Sequence, residues 1–338
     1  MKSATELDVN LKPYTVETFE TVERHRQRGS FKRFSAMGAL VFLVFSLFNI
    51  FQDVDSLDKL ELEYSILRTL PLRTYSKIQG LVCCIKYPWP LNIVVVGIAK
   101  KAFGISLDDA SRKKVSEYRS INDLFTRKLA ESARPIGRGI VSPVDGTVVY
   151  AGIVGTDIPQ IKGVKYEIHD LLRISSLTEI DIDEDDLYQV VIYLAPSNYH
   201  RFHSFCDFTL KQVKHIPSQL FSVGMTPMRY LRGLLSKNER VVFSGESEWG
   251  YASLVAVGST GVGSIATPFA DITTNGYSFG PTQATSYFGN KEIKKGKEIG
   301  WFNLGSTVVL LFKAPKKFSL NCQEGPIQVG ESIGELLA

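Results

Sequence analysis

The chain has five histidines, and two of them share the phrase Tyr199-His200-Arg201-Phe202-His203. That phrase follows the apolar run Gln189–Leu194. A loop after a buried strand is where a rigid scaffold presents reactive groups. His-x-x-His alone leaves three readings open: a structural or surface pair, two metal ligands, or catalytic groups. No carboxylate or third histidine stands at ligand spacing, so no metal is assigned. A second phrase is Ser142-Pro143-Val144-Asp145-Gly146. Asp-Gly between apolar residues signals a hairpin turn, and an aspartate at a turn can also orient a histidine. A third is Asn303-Leu304-Gly305-Ser306-Thr307, at the entrance of an apolar strand. Ser306 is a nucleophile if a histidine lies near it; otherwise the Gly-Ser pair only leads the strand. Val257-Gly258-Ser259-Thr260 is a near copy, so Ser259 is a rival. There is no Gly-x-Ser-x-Gly elbow, Walker loop, dinucleotide fingerprint or His-Glu-x-x-His.

Elements must hold these phrases. After Arg134-Pro135 the texture is that of strands, with β-branched runs between Gly, Pro, Asp and Asn. The runs are Gly146–Tyr150, Gln189–Leu194, Val241–Phe243, Leu254–Val257 and Thr307–Phe312, with a helix expected near 225–235. Ser120 and Asp123 mark a helix start, with Ser120 as cap and Ile121–Leu129 as a short helix. Residues 54–115 read mainly as helix, from apolar residues at three- and four-residue spacing. Arg68, Arg73 and Lys77 lie among them, so this stretch either lies on anionic lipid or packs on its own domain.

Phe34–Gln52 holds 19 residues without a charge. As a helix that is about 28 Å, enough to cross a bilayer core. Arg24, Arg26, Arg28, Lys32 and Arg33 flank it on one side and Asp53 and Asp55 on the other. The basic flank sets the N-terminal tail on the more negative side of the membrane and the rest across it. No small-x-small cleavage site follows closely, so a removed signal peptide is disfavoured. The acids of residues 1–33 weaken a presequence reading, which the basic cluster at 24–33 keeps open.

Composition fits a folded chain, with 44% hydrophobic and 22% charged residues. A net charge of +4 is too mild to argue for nucleic acid. Cys83, Cys84, Cys206 and Cys322 show no metal or disulfide spacing and read as buried or half-buried thiols of a reducing compartment.

Taken together and in order, the three phrases resemble the phosphatidylserine decarboxylases. Tyr118–Arg127, His215-Ile216-Pro217, Asn238–Val242 and Val257–Ser264 are similar too. The likeness covers about 115–338, more weakly from about 65. Two positions depart from the common pattern, Ser218 for Gly and Gly224 for Asn, on a loop that would face substrate. The resemblance implies a self-processing enzyme with an Asp145–His203–Ser306 triad. Ser306 would attack the carbonyl of Gly305 and end as a covalent pyruvoyl group, the cofactor. That group would form a Schiff base with the amine of phosphatidylserine, and His200 would return a proton after CO₂ leaves. Ser306 is thereby favoured over Ser259.

The expected fold class is α+β: a helical N-terminal part with one transmembrane helix, then a strand-rich, mainly antiparallel catalytic domain. The expected divisions are a matrix tail 1–33, a span 34–52, a helical membrane-proximal region 53–115 and a catalytic domain 116–338. Cleavage would give a β chain 1–305 and an α chain 306–338 that stay together as a heterodimer. Implied partners are phosphatidylserine and membrane lipids. The implied location is the mitochondrial inner membrane, catalytic domain in the intermembrane space, with the endomembrane system as the alternative. Two further readings stand beside this one: a membrane-anchored serine hydrolase or protease with intact Ser306, and an inactive lipid-binding scaffold.

Overall fold

The computed structural model describes residues 72–154, 158–160, 164–166, 168–174, 187–223, 233–260, 264–272, 274–275, 285–303 and 306–337. The apolar segment 34–52 and the periodic stretch 54–71 lie outside them. Among the described residues no helix is long and apolar enough to cross a membrane.

Helices come first: α1 (Leu72–Cys83), α2 (Leu91–Ala102), a 3₁₀ turn at Val115–Glu117, and α3 (Ile121–Phe125). Ser120 caps α3 as expected, its Oγ accepting from the Asp123 N–H at 3.0 Å. The helix is shorter than the pattern suggested, ending at Phe125 rather than Leu129. Past it, Ala110 bridges Leu129 as an isolated β pair. These elements pack around Val96, Ala99, Tyr118, Leu124 and Phe125 as a small core of their own.

Strands follow: β1 (Ile140–Val141), β2 (Gly146–Ile153), β3 (Ile158–Gln160) and β4 (Val164–Tyr166), then helix α4 (Ile168–Leu172). Next are β5 (Leu187–Leu194), β6 (Arg201–His203), β7 (Phe208–Ile216) and helix α5 (Leu234–Lys237). Only the end of the helix expected at 225–235 falls in the described residues, and there α5 begins. The rest are β8 (Arg240–Ser247), β9 (Gly250–Gly258), β10 (Ile265–Ala266), β11 (Thr285–Ile293), β12 (Glu298–Phe302), β13 (Ser306–Lys313), β14 (Phe318–Leu320), β15 (Gly325–Ile327) and β16 (Ser332–Leu336).

Eight strands form one sheet in the order β11-β7-β8-β9-β13-β5-β2-β15. Every neighbouring pair is antiparallel. The central strands are apolar without alternation because both faces are buried. Val308, Leu310 and Phe312 of β13 enter one core, and Val309 and Leu311 enter the other. Smaller sheets among the described residues are β1-β16-β14, β10-β12-β6 and the pair β3-β4. The described residues are therefore strand-rich and mainly antiparallel, and the helices among them are few and short. All four cysteines are free thiols, and burial pushes the Cys83 thiol up to about 12.

Candidate active site

One end of the large sheet collects the residues that the sequence singled out. Ser306 opens β13, paired with Leu194 at the end of β5 and with Gly258 at the end of β9. Asp145 immediately precedes β2, whose Thr147 pairs with Tyr193 of β5. The turn reading of Asp145-Gly146 is corrected here: β1 and β2 sit in different sheets, so no hairpin joins them. Gly146 is needed for another reason. A Cβ there would stand 2.4 Å from the Tyr193 carbonyl oxygen.

The loop after β5 carries His200 into full burial. His200 and His203 are separated by loop and strand, not by a helical turn. His200 Nδ1 lies 2.8 Å from the Asn198 carbonyl and so carries the proton; Nε2 is a bare acceptor with no partner among the described residues. Burial pushes its pKa down to about 4, the Asn198 carbonyl acting in the opposite sense, so the ring is neutral near pH 7. The Phe125 ring of α3 meets its face edge-on, centroids 5.4 Å apart.

Ser306 is buried, and its Oγ also has no hydrogen-bond partner among the described residues. An enclosed hydroxyl left so costs about 1–3 kcal/mol, which a serine with a purely structural part seldom retains. The chain leading to it is pinned. The Phe302 N–H donates to the His200 carbonyl at 2.9 Å, and Asn303 Nδ2 donates to Ser264 Oγ at 2.7 Å. Asn122 of α3 donates to Asn303 Oδ1 at 3.2 Å. Leu304 and Gly305, between this anchor and β13, lie outside the described residues.

Asp145 and His203 are placed beside this centre but are not joined to each other or to Ser306. Arg134 grips Asp145 with Nε at 3.1 Å and Nη2 at 2.7 Å, and the Val329 N–H adds a bond at 2.8 Å. Hydrogen bonding to Asp145 raises the Arg134 guanidinium further, so its charge is fixed. His203 Nδ1 donates to the Gly296 carbonyl at 2.9 Å, and Nε2 accepts from the Tyr199 hydroxyl at 3.0 Å. Burial lowers the His203 pKa and raises that of Tyr199, so both are neutral and this orientation holds. The tautomer of His203 is thus set by Gly296 rather than by Asp145, whose charge acts on the ring only at a distance.

Ser259, the rival serine, is spent on structure: its Oγ accepts from the Val223 N–H at 3.3 Å. Next to it Glu239, buried, accepts from His215 Nε2 and the Asn275 N–H, both at 2.8 Å. Arg73 of α1 lies 3.8 Å from Glu239 and donates to the Ser218 carbonyl, which fastens α1 to this end of the sheet. The Ser218 hydroxyl donates to the Lys237 carbonyl, and Gly224 lies outside the described residues.

Sequence reasoning passed over Arg127, Arg134, Tyr199, His215 and Glu239. Four of the five stood inside phrases quoted for the resemblance. The one signal for those four was their place inside these phrases.

Comparison with known proteins bears on the same stretch. Residues 121–335 match the sequence model of the family described as phosphatidylserine decarboxylase. The mitochondrial phosphatidylserine decarboxylase proenzyme of Cricetulus griseus is 35% identical over 303 residues, covering 81% of this chain and 74% of that protein. Proenzyme 1, mitochondrial, of Schizosaccharomyces pombe is 30% identical over 361 residues, covering 81% and 83%. The proenzyme of the bacterium Psychrobacter arcticus is 36% identical over 274 residues, covering 78% and 95%.

Proposed function

The chain belongs to the phosphatidylserine decarboxylase family, and from that membership we propose how the site at 306 is made and used. It is a decarboxylase: phosphatidylserine gives phosphatidylethanolamine and CO₂. The observation that carries the site assignment is the pair of buried, unpartnered atoms, Ser306 Oγ and His200 Nε2, at one end of the sheet.

In processing, His203 takes the Ser306 proton once the Tyr199 hydroxyl releases its Nε2. Ser306 Oγ bonds to the Gly305 carbonyl carbon, and the C–N bond between 305 and 306 breaks, leaving an ester and a free amine. Holding both groups in one chain supplies much of the rate. Loss of the Ser306 Cα proton, with departure of the Gly305 carboxylate from Cβ, divides the chain. Water then releases ammonia from residue 306. The residues fit the resulting pyruvoyl group, because Ser306 Oγ is already held apart from every structural hydrogen bond. When formed, that group supplies an electron sink for the pair left as CO₂ departs. His200 moves the proton: its bare Nε2 takes one from the substrate ammonium and later gives it to Cα. Asp145, locked by Arg134, is a fixed negative charge that favours the protonated form of either histidine.

A second reading has one observation in its favour. His203 has both nitrogens engaged while His200 Nε2 is open, so His200 is the histidine with a nitrogen ready to take the Ser306 proton. Histidine variants decide. His203→Ala stays uncleaved and His200→Ala cleaves but releases little ¹⁴CO₂ from carboxyl-labelled phosphatidylserine; the reverse cleavage pattern would favour the second reading.

Lipid access has its own support. On α2, Leu91, Val94 and Ile98 are exposed on one face while Val96 and Ala99 are buried on the other. Ile78, Leu81 and Ile85 are also exposed, as are Lys86 and Lys101. Trp89, between the helices, is 76% exposed. Such a surface suits the interface of an anionic bilayer. With the uncharged segment 34–52 as a single span, the catalytic part would sit on the membrane that holds its substrate. The relatives' mitochondrial names favour mitochondria, with the tail in the matrix and the cleaved chains 1–305 and 306–338 paired on the far side of the inner membrane.

A further inference from the structure

Arg127 follows α3 and is 5% exposed. Its Nη2 donates to two carbonyls of the His200 loop, Ser197 at 3.0 Å and Asn198 at 3.1 Å. Its Nη1 is enclosed and has no hydrogen-bond partner among the described residues. Arg240, the other buried arginine among the described residues, differs. Its guanidinium nitrogens are spent on the carbonyls of Leu171, Ser236, Asn238 and Asp170. The carboxylate whose charge acts on Arg127 is Asp145, and both Asp145 oxygens are taken by Arg134. Arg127 is therefore a buried cation held in place by neutral carbonyls, with one donor edge unused. Burial disfavours its charged form, and an anion entering the site would relieve that strain.

We propose that Arg127 binds the α-carboxylate of the serine headgroup. This rests on the decarboxylase reading and names a substrate-binding residue within it. The planar guanidinium presents its donors in a fork that fits a carboxylate. Its charge acts on His200, the residue beside the reacting centre. In the headgroup the carboxylate shares a carbon with the reacting amine. The phosphodiester lies nearer the acyl chains, which stay in the bilayer, so the enclosed Nη1 suits the end of the headgroup furthest from them. Arg127 also gives a direction to the cycle. Loss of CO₂ removes its counter-ion, so the product is held more weakly than the substrate.

The test uses processed full-length enzyme, its Arg127→Gln and Arg127→Lys variants, and vesicles of phosphatidylcholine carrying phosphatidylserine or phosphatidylethanolamine. Cyanoborohydride couples the lipid amine to the 306–338 fragment, and mass spectrometry counts the adduct. For Arg127→Gln, coupling of phosphatidylserine should need roughly 10–100-fold more lipid while that of phosphatidylethanolamine stays within about twofold. KM for phosphatidylserine should rise by a similar factor, with a smaller fall in kcat. Arg127→Lys, which keeps the charge but loses the fork, should fall between. Equal loss for both lipids would place Arg127 against the phosphodiester or against the new carboxyl terminus of Gly305, and would overturn the proposal. So would failure of both variants to cleave, which would make Arg127 a positioning residue for the His200 loop. If the wild-type fragment couples neither lipid, the pyruvoyl reading fails instead.

Discussion

Ser306 and Gly258 are register partners on adjacent antiparallel strands, so the two Gly-Ser phrases of the chain meet at one end of the sheet. Their serines have different surroundings. Ser259 Oγ accepts a backbone N–H, while the Ser306 hydroxyl is enclosed without a partner. Ser306→Ala should therefore leave one uncleaved, inactive chain with stability unchanged or slightly raised. Ser259→Ala should cleave normally and lose about 1 kcal/mol. Gel mobility and denaturant unfolding read both outcomes.

Arg134 and Asp145 form a bidentate pair whose side chains are 10% and 11% exposed. Removing one partner leaves a buried charge uncompensated. In the uncleaved Ser306→Ala background, Arg134→Leu should cost about 3–5 kcal/mol in denaturant unfolding. In the otherwise wild-type chain it should also slow cleavage. A loss below about 1 kcal/mol would mean that Asp145 is solvated rather than locked.

His200 titrates in the folded chain at about 4, against 6.5 when unfolded. The unfolded chain then binds more protons between these values. His200 accordingly contributes stability that is fully present above pH 6.5 and is lost as pH falls towards 4. At about 1.4 kcal/mol per unit, the loss is roughly 3 kcal/mol. His203, also lowered by burial, adds to the slope in the same direction. In the Ser306→Ala background, His200→Gln should flatten the fall in unfolding free energy between pH 7 and 4. An unchanged slope would show that His200 is not buried as a neutral ring.

Leu81 and Val94 lie on the exposed apolar surface of α1 and α2, and neither enters a core. Burying each in a bilayer interface is worth on the order of 1 kcal/mol or more. Leu81→Ser with Val94→Ser should lower turnover of phosphatidylserine presented in anionic vesicles by about tenfold. Turnover of detergent-dispersed phosphatidylserine should change little. Equal loss in both assays would mean that the surface packs on protein.

The strands were legible because burial of both sheet faces writes them as uninterrupted apolar runs, as in Leu187–Leu194 and Ser306–Lys313. The α3 cap was legible because Ser120 and Asp123 carry that geometry locally. The end of α3 was not, since apolar residues continue to Leu129 after the helix has given way to a bridge with Ala110. Asp145-Gly146 misled for a related reason. The dipeptide has turn chemistry, but the glycine is there for the close approach of Tyr193. The candidate residues Asp145, His200, His203 and Ser306 lie about one end of the large sheet with no hydrogen bond joining them among the described residues. Their hydrogen bonds were out of reach, because Arg134, Tyr199 and Gly296 come to them only through tertiary packing. Arg127 was invisible for the same cause: lacking a counter-ion is a property of the folded chain.

The mass of the purified, untreated protein addresses self-cleavage at 306 most directly. Two fragments should appear, the smaller being 306–338 and lighter than the sequence 306–338 by one ammonia, as a pyruvoyl start requires. A single intact chain that reacts with a fluorophosphonate at Ser306 would contradict it and make the protein a serine hydrolase.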